Sequence, residues 1–461
     1  MADNLINSMN TAASKAAPKT AEVFVNAIDK MSVTDAQAIL SGGNEAATNY
    51  FKANTSDSLK KLIAPIIQET MKENQEFNLV ATAASGLEAL VGKELRDLGI
   101  ECTVENGRAR FKGTMETIAK TNLWLRTADR VKIVVGEFDA FTFDELFESV
   151  KALPWEDFLP LDAQFPVAGK SIKSTLYSTP DCQAITKKAI VNRLREYYHR
   201  PASVPLAETG ALFQLEVALL KDHVMVTLDT TGPSLFKRGY RLEKGGAPLK
   251  ENMAAALVML TNWRKDRPFY DPVCGSGTLC IEAAMIGHNI APGFNREFAC
   301  EKWDWFKPEI FASARNEAEE AADYDIVLDI TGSDINGKII EIARRNAEEI
   351  GLGDSIVFKQ QAMKDFHTDK EYGVIVANPP YGERLGEEEE VRQLYREMGQ
   401  VFKPLTTWSK YIITSDLLFE EFYGAKATKK RKLYNGALRT DLFQYWGTRP
   451  PRQPRVETTE A

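Results

Sequence analysis

The stretch PFYDPVCGSGTLCIEAAMIGH, residues 268–288, decides the fold class. A short apolar run ends on Asp271, a turn with two glycines follows, and an apolar helical segment begins at Thr278. Gly275 and Gly277 let the backbone approach a ligand closely, and the start of the helix supplies free N–H groups. The pattern predicts a buried strand, a ligand-binding loop and a crossover helix.

Strand-like and helical segments alternate around this stretch from about residue 234 onward. Strands are predicted in DIVLDITGSDI, SIVFKQQA, YGVIVAN and SKYIITSD, and helices in GKIIEIARRNAEEIG and EEEVRQLYREMGQVF. Regular alternation of this kind is typical of a doubly wound parallel sheet. The last segment, KKRKLYNGALRTDLFQYW, contains Asn435-Gly436, which is a strong hairpin signal. We therefore predict a Rossmann-like class I methyltransferase fold, in which an antiparallel hairpin completes a parallel sheet.

Two regions of different composition precede this sheet. Residues 1–76 are rich in Ala, Asn, Ser and Thr, and we predict short helices there that break at Gly42-Gly43 and at Pro65. From Phe77 onward, strands and helices predict a compact α+β group, a small sheet with helices on one face. KSIKSTLYS, residues 170–178, is one of its predicted strands.

The bulk composition excludes several classes of protein. A chain of 461 residues, 44% hydrophobic and 26% charged, has the composition of a soluble globular protein with two or three domains. No apolar run has bilayer length, and the N-terminus lacks the pattern of a secretory signal. Five scattered cysteines and four histidines argue against disulfides or a metal site and favour a cytoplasmic location.

Acidic residues follow three of the predicted strands. Asp271 would suit a cationic amino group, Asp334 could accept both hydroxyls of a ribose, and Asp365 could reach an adenine amine. The third glycine of a dinucleotide-binding fingerprint is missing, and no GxxxxGK[ST] loop is present. These features predict S-adenosylmethionine, with its methionine part against the loop residues Cys274, Gly275, Ser276 and Gly277.

Each of these residues has a plainer interpretation. The glycine turn could be a tight connection between a strand and a helix. Asp334 could be the N-cap of the following helix, and Asp365 could be an ordinary loop residue.

Asn378-Pro-Pro-Tyr381 ends the fourth predicted strand, VIVA. The exocyclic amine of a nucleobase is a poor nucleophile because its lone pair is delocalised into the ring. The Asn378 side-chain oxygen and the Pro379 carbonyl could hold its hydrogens and aim the lone pair at a methyl group. Pro379 and Pro380 stiffen the turn, and Tyr381 offers a face for a flipped base. The motif itself serves adenine N6, cytosine N4, guanine N2 and protein glutamine amides alike.

Residues 77 to about 447 resemble the THUMP-domain RNA methyltransferases, and within them the RlmL-type group that modifies guanine N2 in 23S ribosomal RNA. The resemblance rests on NLVATAASGLEALVGKEL, LFKRGYR, APLKENMAAALV, DPVCGSGTLCIEAA, ANPPYGERLG and KLYNGALRT. It implies that Leu249 and Glu251 lie alongside the methionine end of the cofactor. The second methyltransferase domain of some relatives is absent, so we expect a single modification.

Composition divides the chain before Phe77 and near Ser234, and the resemblance, which does not include the section before Phe77, implies the identity of the later domains. We expect a helical or partly disordered extension at residues 1–76 and a ferredoxin-like part at residues 77–150. A THUMP RNA-binding domain is expected at residues 151–233, a methyltransferase domain at residues 234–450 and a disordered tail at residues 451–461. The oligomeric state stays open.

RNA is the expected partner, although the net charge of −8 argues weakly against a nucleic acid. Candidate RNA-binding residues cluster in the middle section, with Tyr177 and Tyr197 near them: Lys170, Lys173, Gln183, Lys187, Lys188 and Arg193. A solvated helix face is the equal alternative for the basic residues. The alternatives for the function are methylation of a transfer-RNA guanine or of DNA adenine N6, and a non-catalytic RNA-binding assembly factor.

Overall fold

The computed structural model describes most of the chain in two compact units. The described residues are 2–42, 45–73, 75–241, 249–381, 388–436 and 438–451. One unit contains residues 1–77 and 113–115, and the other contains residues 78–112 and 116–461. In the described ranges, no helix combines the length and the apolar character that a membrane span requires.

The first unit is built from three helices, α1 (Ala2–Asp29), α2 (Val33–Ser41) and α3 (Ala46–Glu73). The helix α1 packs against α3, and Ala12 and Ala16 are buried there. The predicted break at Pro65 is wrong, because α3 continues through that position. A proline removes one helical hydrogen bond, but packing between long helices supplies most of their stability and tolerates that loss. The tail residues 452–461 and Gly43 lie outside the described residues.

A seven-stranded sheet follows, with strand order β2-β3-β1-β4-β7-β6-β5. Its elements are β1 (Phe77–Ala83), α4 (Glu88–Asp97), β2 (Cys102–Glu105), β3 (Arg108–Gly113), α5 (Met115–Trp124), β4 (Ala128–Asp139), α6 (Phe143–Lys151), β5 (Val167–Ile172), α7 (Thr179–Tyr197), β6 (Leu215–Leu220) and β7 (His223–Asp229). The long strand β4 pairs antiparallel with both β1 and β7. One continuous sheet therefore spans the predicted ferredoxin-like and THUMP parts.

The strand predicted over residues 170–178 is correct only for its first three residues, 170–172. The strand β5 ends at Ile172, and Lys173 has φ +50°, in the left-handed region. The chain turns there, and the Ser174 hydroxyl accepts a hydrogen bond from the Asp222 N–H at 3.0 Å. Such a turn interrupts a strand even where the residues favour one.

The second sheet has strand order β10-β9-β8-β11-β12-β14-β13. Its elements are α8 (Glu251–Met259), β8 (Phe269–Asp271), α9 (Thr278–Gly287), α10 (Pro308–Ala321), β9 (Ile330–Asp334), α11 (Gly337–Glu349), β10 (Val357–Gln360), β11 (Val374–Ala377), α12 (Glu388–Phe402), β12 (Ser409–Thr414), α13 (Phe419–Tyr423), β13 (Lys429–Asn435) and β14 (Leu438–Tyr445). The strands from β10 to β12 pair in parallel, and β14 pairs antiparallel with β12 and β13. The predicted doubly wound sheet with a closing antiparallel hairpin is confirmed.

Both faces of this sheet are covered. Along β11, Val374 and Val376 belong to one buried cluster, whereas Ile375 and Ala377 belong to another. Alternate residues of a strand point to opposite faces, so this strand is buried on both sides. The chain order reverses between β8 and β11, and a crevice for ligands opens outside the carboxyl ends of strands at such a switch point.

A buried ion pair connects the two sheets within the second unit. Arg238 Nε lies 3.4 Å from Glu282 Oε1, and the Tyr240 hydroxyl donates to the same oxygen at 3.0 Å. Arg238 Nη2 donates to the Arg126 carbonyl at 2.6 Å, next to the beginning of β4. A buried charge needs such a complete set of partners. The pair fixes α9 against the first sheet.

Candidate active site

The glycine loop after β8 has a backbone that only glycine adopts easily. Gly275 and Gly277 have φ +51° and +82°. A Cβ atom on Gly277 would lie 2.8 Å from Phe358 Cζ, whereas one on Gly275 would meet no atom within 4 Å. Gly277 is therefore needed for packing, and Gly275 leaves open space for a ligand. The Cys274 N–H donates to the Ser333 carbonyl at 2.9 Å, which fastens the loop to β9.

Asp334, the last residue of β9, contacts the glycine loop. Its two oxygens accept hydrogen bonds from the Gly275 N–H at 3.1 Å and from the Asn336 N–H at 2.9 Å. The interpretation of Asp334 as the N-cap of α11 is wrong, because Asn336 is that cap and accepts from the Lys338 N–H at 3.0 Å. Each Asp334 oxygen keeps a second lone pair, which leaves room for two hydroxyl donors of a ribose.

Asp271 lies at the carboxyl end of β8 and is only 1% exposed. One oxygen accepts from the Val273 N–H at 3.1 Å. Burial raises the pKa of Asp271 well above its usual range, and the negative charge of Asp334 adds to the effect. In the parts of the chain that the structure describes, Asp271 has no ion-pair partner. A ligand cation placed here would favour the ionised carboxylate.

The segment before α8 is tied to the glycine loop by Arg241. Its Nη2 donates to the Leu249 carbonyl at 3.0 Å and to Thr278 Oγ1 at 3.1 Å. Its Nε lies 3.4 Å from Glu251 Oε1. Leu249 and Glu251 are thus held beside the start of α9, next to the loop. The role of Arg241 was missed from the sequence, where it appeared only as part of LFKRGYR.

The remaining loop side chains have different surroundings. Cys274 is buried, and burial raises the pKa of its thiol, which is therefore neutral. The Ser276 carbonyl accepts from Asn346 Nδ2 at 3.1 Å. Asp365 is exposed at the end of a short 3-10 turn after β10, and the next residue, Phe366, stacks on Tyr270. The contact of Asp365 with adenine stays a prediction.

Asn378 follows β11 at the switch point and is half-buried. Its Oδ1 accepts a hydrogen bond from the Tyr381 hydroxyl at 2.6 Å. The strand β11 pairs in parallel with β8 in the register Ile375–Tyr270, so the residues after Ala377 and the glycine loop leave neighbouring strands at the same edge of the sheet. The structure therefore brings the amide and the loop to one corner of the sheet. The hydrogen bond to Tyr381 was not predicted.

The candidate RNA-binding residues form two groups. Lys170, Lys173 and Lys188 are exposed, and Lys170 lies on β5, an edge strand of the first sheet. Tyr177, which is close to Lys173 in the sequence, is 85% exposed, so its ring is accessible. These side chains are available to a polyanion.

The other three have partners within the protein. Lys187 Nζ lies 2.9 Å from Glu208 Oε2, and Arg193 Nε lies 2.9 Å from Glu156 Oε2. Gln183 Nε2 donates to the Val167 carbonyl at 3.0 Å. Contact with RNA would require these pairs to open, and their role stays a prediction.

Two known families match the second unit. Residues 238–444 match a family described as an RMKL-like methyltransferase domain, and residues 140–229 match the THUMP domain. Residues 1–125 match a family of proteins of unknown function. Across the described residues, no group of three or more His, Cys, Asp or Glu side chains converges in a way that could hold a metal ion.

Curated proteins are similar over most of the chain. The putative RNA methyltransferase YpsC of Bacillus subtilis is 57% identical over 383 residues, which cover 83% of this chain and 99% of that protein. The ribosomal RNA large subunit methyltransferase K/L of Syntrophotalea carbinolica is 33% identical over 82% of this chain and 55% of that protein. The chain thus spans about half the length of this K/L relative.

Two solved structures share the fold at high identity. One is SMU.472, described as a putative methyltransferase complexed with SAH; it is 61% identical, with a TM-score of 0.78, over 82% of this chain and 100% of that one. The other is described as a predicted N6-adenine-specific DNA methylase from Listeria monocytogenes. It is 66% identical, with a TM-score of 0.78, over 82% of this chain and 98% of that one.

Proposed function

The chain belongs to the family of THUMP-containing, RMKL-like methyltransferases, and from this premise we propose that it methylates the exocyclic N2 amine of a guanine in 23S ribosomal RNA. The methyl donor is S-adenosylmethionine. The observation that carries the proposal is the half-buried Asn378 amide at the end of β11, one strand away from the glycine loop. The THUMP match and the similarity to the K/L enzyme support ribosomal RNA as the substrate.

When bound, S-adenosylmethionine supplies an electrophilic methyl group. The chain has to hold the guanine amine so that its nitrogen faces that group. Asn378 Oδ1 has two lone pairs, so it can accept one amine hydrogen and still accept the Tyr381 hydroxyl. The Pro379 carbonyl accepts the second hydrogen, and proline fixes its direction. With both hydrogens held, the lone pair leaves the ring plane and points at the methyl carbon, and the surplus proton then passes to water.

Cofactor affinity should depend on pH through Asp271. Burial raises the pKa of the carboxyl group, whereas binding of the cationic amino group favours the ionised form, so binding is coupled to release of a proton from Asp271. Affinity should therefore rise as the pH increases through the raised pKa, by at most about tenfold per pH unit for one proton. Calorimetric titration at several pH values, across the range in which the protein stays folded, measures this slope.

Asp271→Asn is the matched control for that slope, since the amide has the same shape and does not titrate. We expect this variant to bind S-adenosylmethionine more weakly, with an affinity that no longer changes with pH through residue 271. Without ligand, the wild-type protein should lose stability as the pH rises through the raised pKa, and the Asn variant should not. A wild-type affinity that is flat over this range would contradict the assignment of Asp271.

The exposed lysines of the first sheet should contribute to RNA affinity. In a Lys170→Ala, Lys173→Ala double variant, we expect weaker RNA binding. The slope of log Kd against log salt concentration should also be smaller by roughly 1.5. Filter binding at several salt concentrations measures both. Lys265→Ala is the matched control, because Lys265 is exposed, pairs with Asp323 and precedes the amino end of β8. An unchanged slope in the double variant would exclude these two lysines from the RNA interface.

The proposal includes the predicted domain division and the predicted cytoplasmic location. The matches to THUMP over residues 140–229 and to the methyltransferase domain over residues 238–444 support a boundary near residue 234, whereas the THUMP match begins before the predicted boundary at residue 151. The continuous first sheet argues that the ferredoxin-like and THUMP parts fold together.

Deletion of the gene, followed by mapping of lost methyl groups, tests the proposal. We expect the loss of one N2-methylguanine from 23S ribosomal RNA and its return when the wild-type gene is restored, but not when an Asn378→Ala gene is restored. Loss of the same nucleoside from transfer RNA would indicate the transfer-RNA alternative. If the cells lose no methylated nucleoside and calorimetry detects no binding of S-adenosylmethionine, the assembly-factor alternative is favoured.

The second candidate is methylation of adenine N6 in DNA. The description of the Listeria structure favours it, and an adenine amine presents the same two hydrogens to Asn378. The THUMP match favours RNA instead. Nucleoside mass spectrometry of DNA and RNA from the same deletion strain separates the two candidates.

A further inference from the structure

A cavity of about 370 Å³ with both polar and apolar lining lies at the carboxyl edge of the second sheet, and the scheme above does not use it. Its lining includes Ser85, Asp129, Lys250, Asn252, Tyr434 and Asn435. Asn378 and Tyr381 are not among the lining residues, so the cavity is separate from the position proposed for the methylated base. Its volume falls within the range of small-ligand pockets, roughly 300–1,000 Å³.

The strand directions place the cavity at the same edge of the sheet as the reaction site, with β12 and β14 between β11 and β13. The strand β13 is antiparallel to β14, which is antiparallel to β12, so β13 runs in the same direction as β11. Asn435, at the end of β13, therefore lies at the same edge of the sheet as Asn378. Lys250 stands between Leu249 and Glu251, which Arg241 holds against the beginning of α9.

Hydrogen bonds between the walls make this cavity preformed. Arg431 Nη2 donates to the Gly86 carbonyl at 2.7 Å, which fixes the loop that contains Ser85 against β13. Asn252 Nδ2 donates to Asp129 Oδ1 at 2.9 Å, which fixes α8 against the beginning of β4. A preformed pocket loses little conformational entropy when a ligand binds.

The lining offers one cation, one carboxylate and one aromatic ring. Lys250 Nζ lies 5.0 Å from the centre of the Phe236 ring. Among the described residues, neither the Lys250 ammonium nor the Asn435 amide has a hydrogen bond or an ion pair. Lys432 Nζ lies 5.2 Å from the centre of the Tyr434 ring and adds positive charge at the hairpin. A simple anion would have no use for the second oxygen of Asp129, whose Oδ1 already accepts from Asn252, whereas a nucleotide has a partner for each group.

We propose that this cavity binds a nucleotide of the substrate RNA next to the methylated guanine, an assignment that rests on the proposed RNA substrate. The Lys250 ammonium contacts a phosphate, since phosphate oxygens accept from lysine. The Tyr434 ring stacks on the base, which is how proteins usually hold unpaired RNA bases. The Asp129 carboxylate accepts from a 2′-hydroxyl or from base N–H groups, and Asn435 adds an amide donor and acceptor.

Equilibrium binding and steady-state kinetics with the full-length chain test the assignment. The probe is large-subunit ribosomal RNA from a strain that lacks the gene. For Lys250→Ala, we expect Kd and KM for this RNA to rise at least about tenfold, as for the loss of a charged hydrogen bond. The KM for S-adenosylmethionine should stay within about twofold. Lys265→Ala, at the opposite edge of the sheet, should change none of these constants.

Asp129→Asn separates RNA recognition from a structural role. The amide keeps the shape and one oxygen that can still accept from Asn252, but its other end becomes a donor. We expect a rise in RNA Kd of about tenfold and an unchanged melting temperature. Binding is measured in the Asn378→Ala background as well, because that measurement does not require turnover.

The outcomes distinguish this inference from the proposed function. RNA constants within twofold of wild type in both Lys250→Ala and Asp129→Asn would overturn the inference while leaving methylation of RNA intact. A matching rise in the KM for S-adenosylmethionine would also overturn it, by indicating a cofactor role. If the wild type methylates no RNA but Lys250→Ala still weakens binding, the proposed function fails and the nucleotide site stands.

Discussion

Replacing Asn378 by alanine should lower kcat for methyl transfer by at least about 100- to 1,000-fold, the loss typical of one preorganised polar group at a reacting centre. The substitution removes the oxygen at the end of β11 that accepts the amine hydrogen, so the lone pair stays delocalised in the base. Asn378 is not one of the residues assigned to cofactor binding. Affinity for S-adenosylmethionine should therefore stay within about twofold, which calorimetry measures beside single-turnover methyl transfer.

Substitutions of Tyr381 are the controls for this expectation. Tyr381→Phe keeps the ring and removes the hydroxyl that donates the 2.6 Å hydrogen bond to Asn378, so we expect a fall in kcat of less than about tenfold. Tyr381→Ala also removes the stacking face, and the KM for RNA should rise further. If Asn378→Ala retained near-normal turnover, the amide would have no role in the reaction, and another group would have to hold the amine.

The features that were predicted correctly from the sequence are encoded locally. The run from β8 through the glycine loop into α9 is contiguous, and its apolar residues, glycines and helix start each constrain the backbone next to them. The hairpin at Asn435-Gly436 is local as well: Asn435 pairs with Leu438, and Gly436 has φ +67°. Such patterns fix the order of elements without any knowledge of distant contacts.

Features that depend on pairs distant in sequence were missed. The Arg241 contacts with Leu249 and Thr278 join segments 8 and 37 residues apart, and only the fold brings them together. The pairing of β4 with β7, which merges two predicted regions into one sheet, is equally non-local. The continuation of α3 through Pro65 depends on packing and not on propensity. In each case, tertiary contacts override the local pattern.

Gly277→Ala should nearly abolish cofactor binding, with Kd for S-adenosylmethionine rising at least about 100-fold, and should also destabilise the protein. A side chain at φ +82° costs about 1–2 kcal/mol. The new Cβ would also lie 2.8 Å from Phe358 Cζ and 3.0 Å from Ala343 Cβ, inside van der Waals contact. Overpacking of that kind adds roughly 1–3 kcal/mol. The protein can relieve it only by moving the loop or the Phe358 ring, and a moved loop no longer presents the first N–H groups of α9 to the ligand.

Gly351→Ala is the matched control, because Gly351 has φ +72° and its Cβ would meet no atom within 4 Å. It carries the left-handed backbone cost alone and lies outside the loop. We expect it to lower the melting temperature less than Gly277→Ala does and to leave cofactor affinity within about twofold. Calorimetric scanning and titration of both variants separate backbone strain from displacement of the loop. Equal losses of stability, together with normal cofactor affinity in Gly277→Ala, would mean that the contact with Phe358 relaxes freely and that the loop tolerates a side chain there.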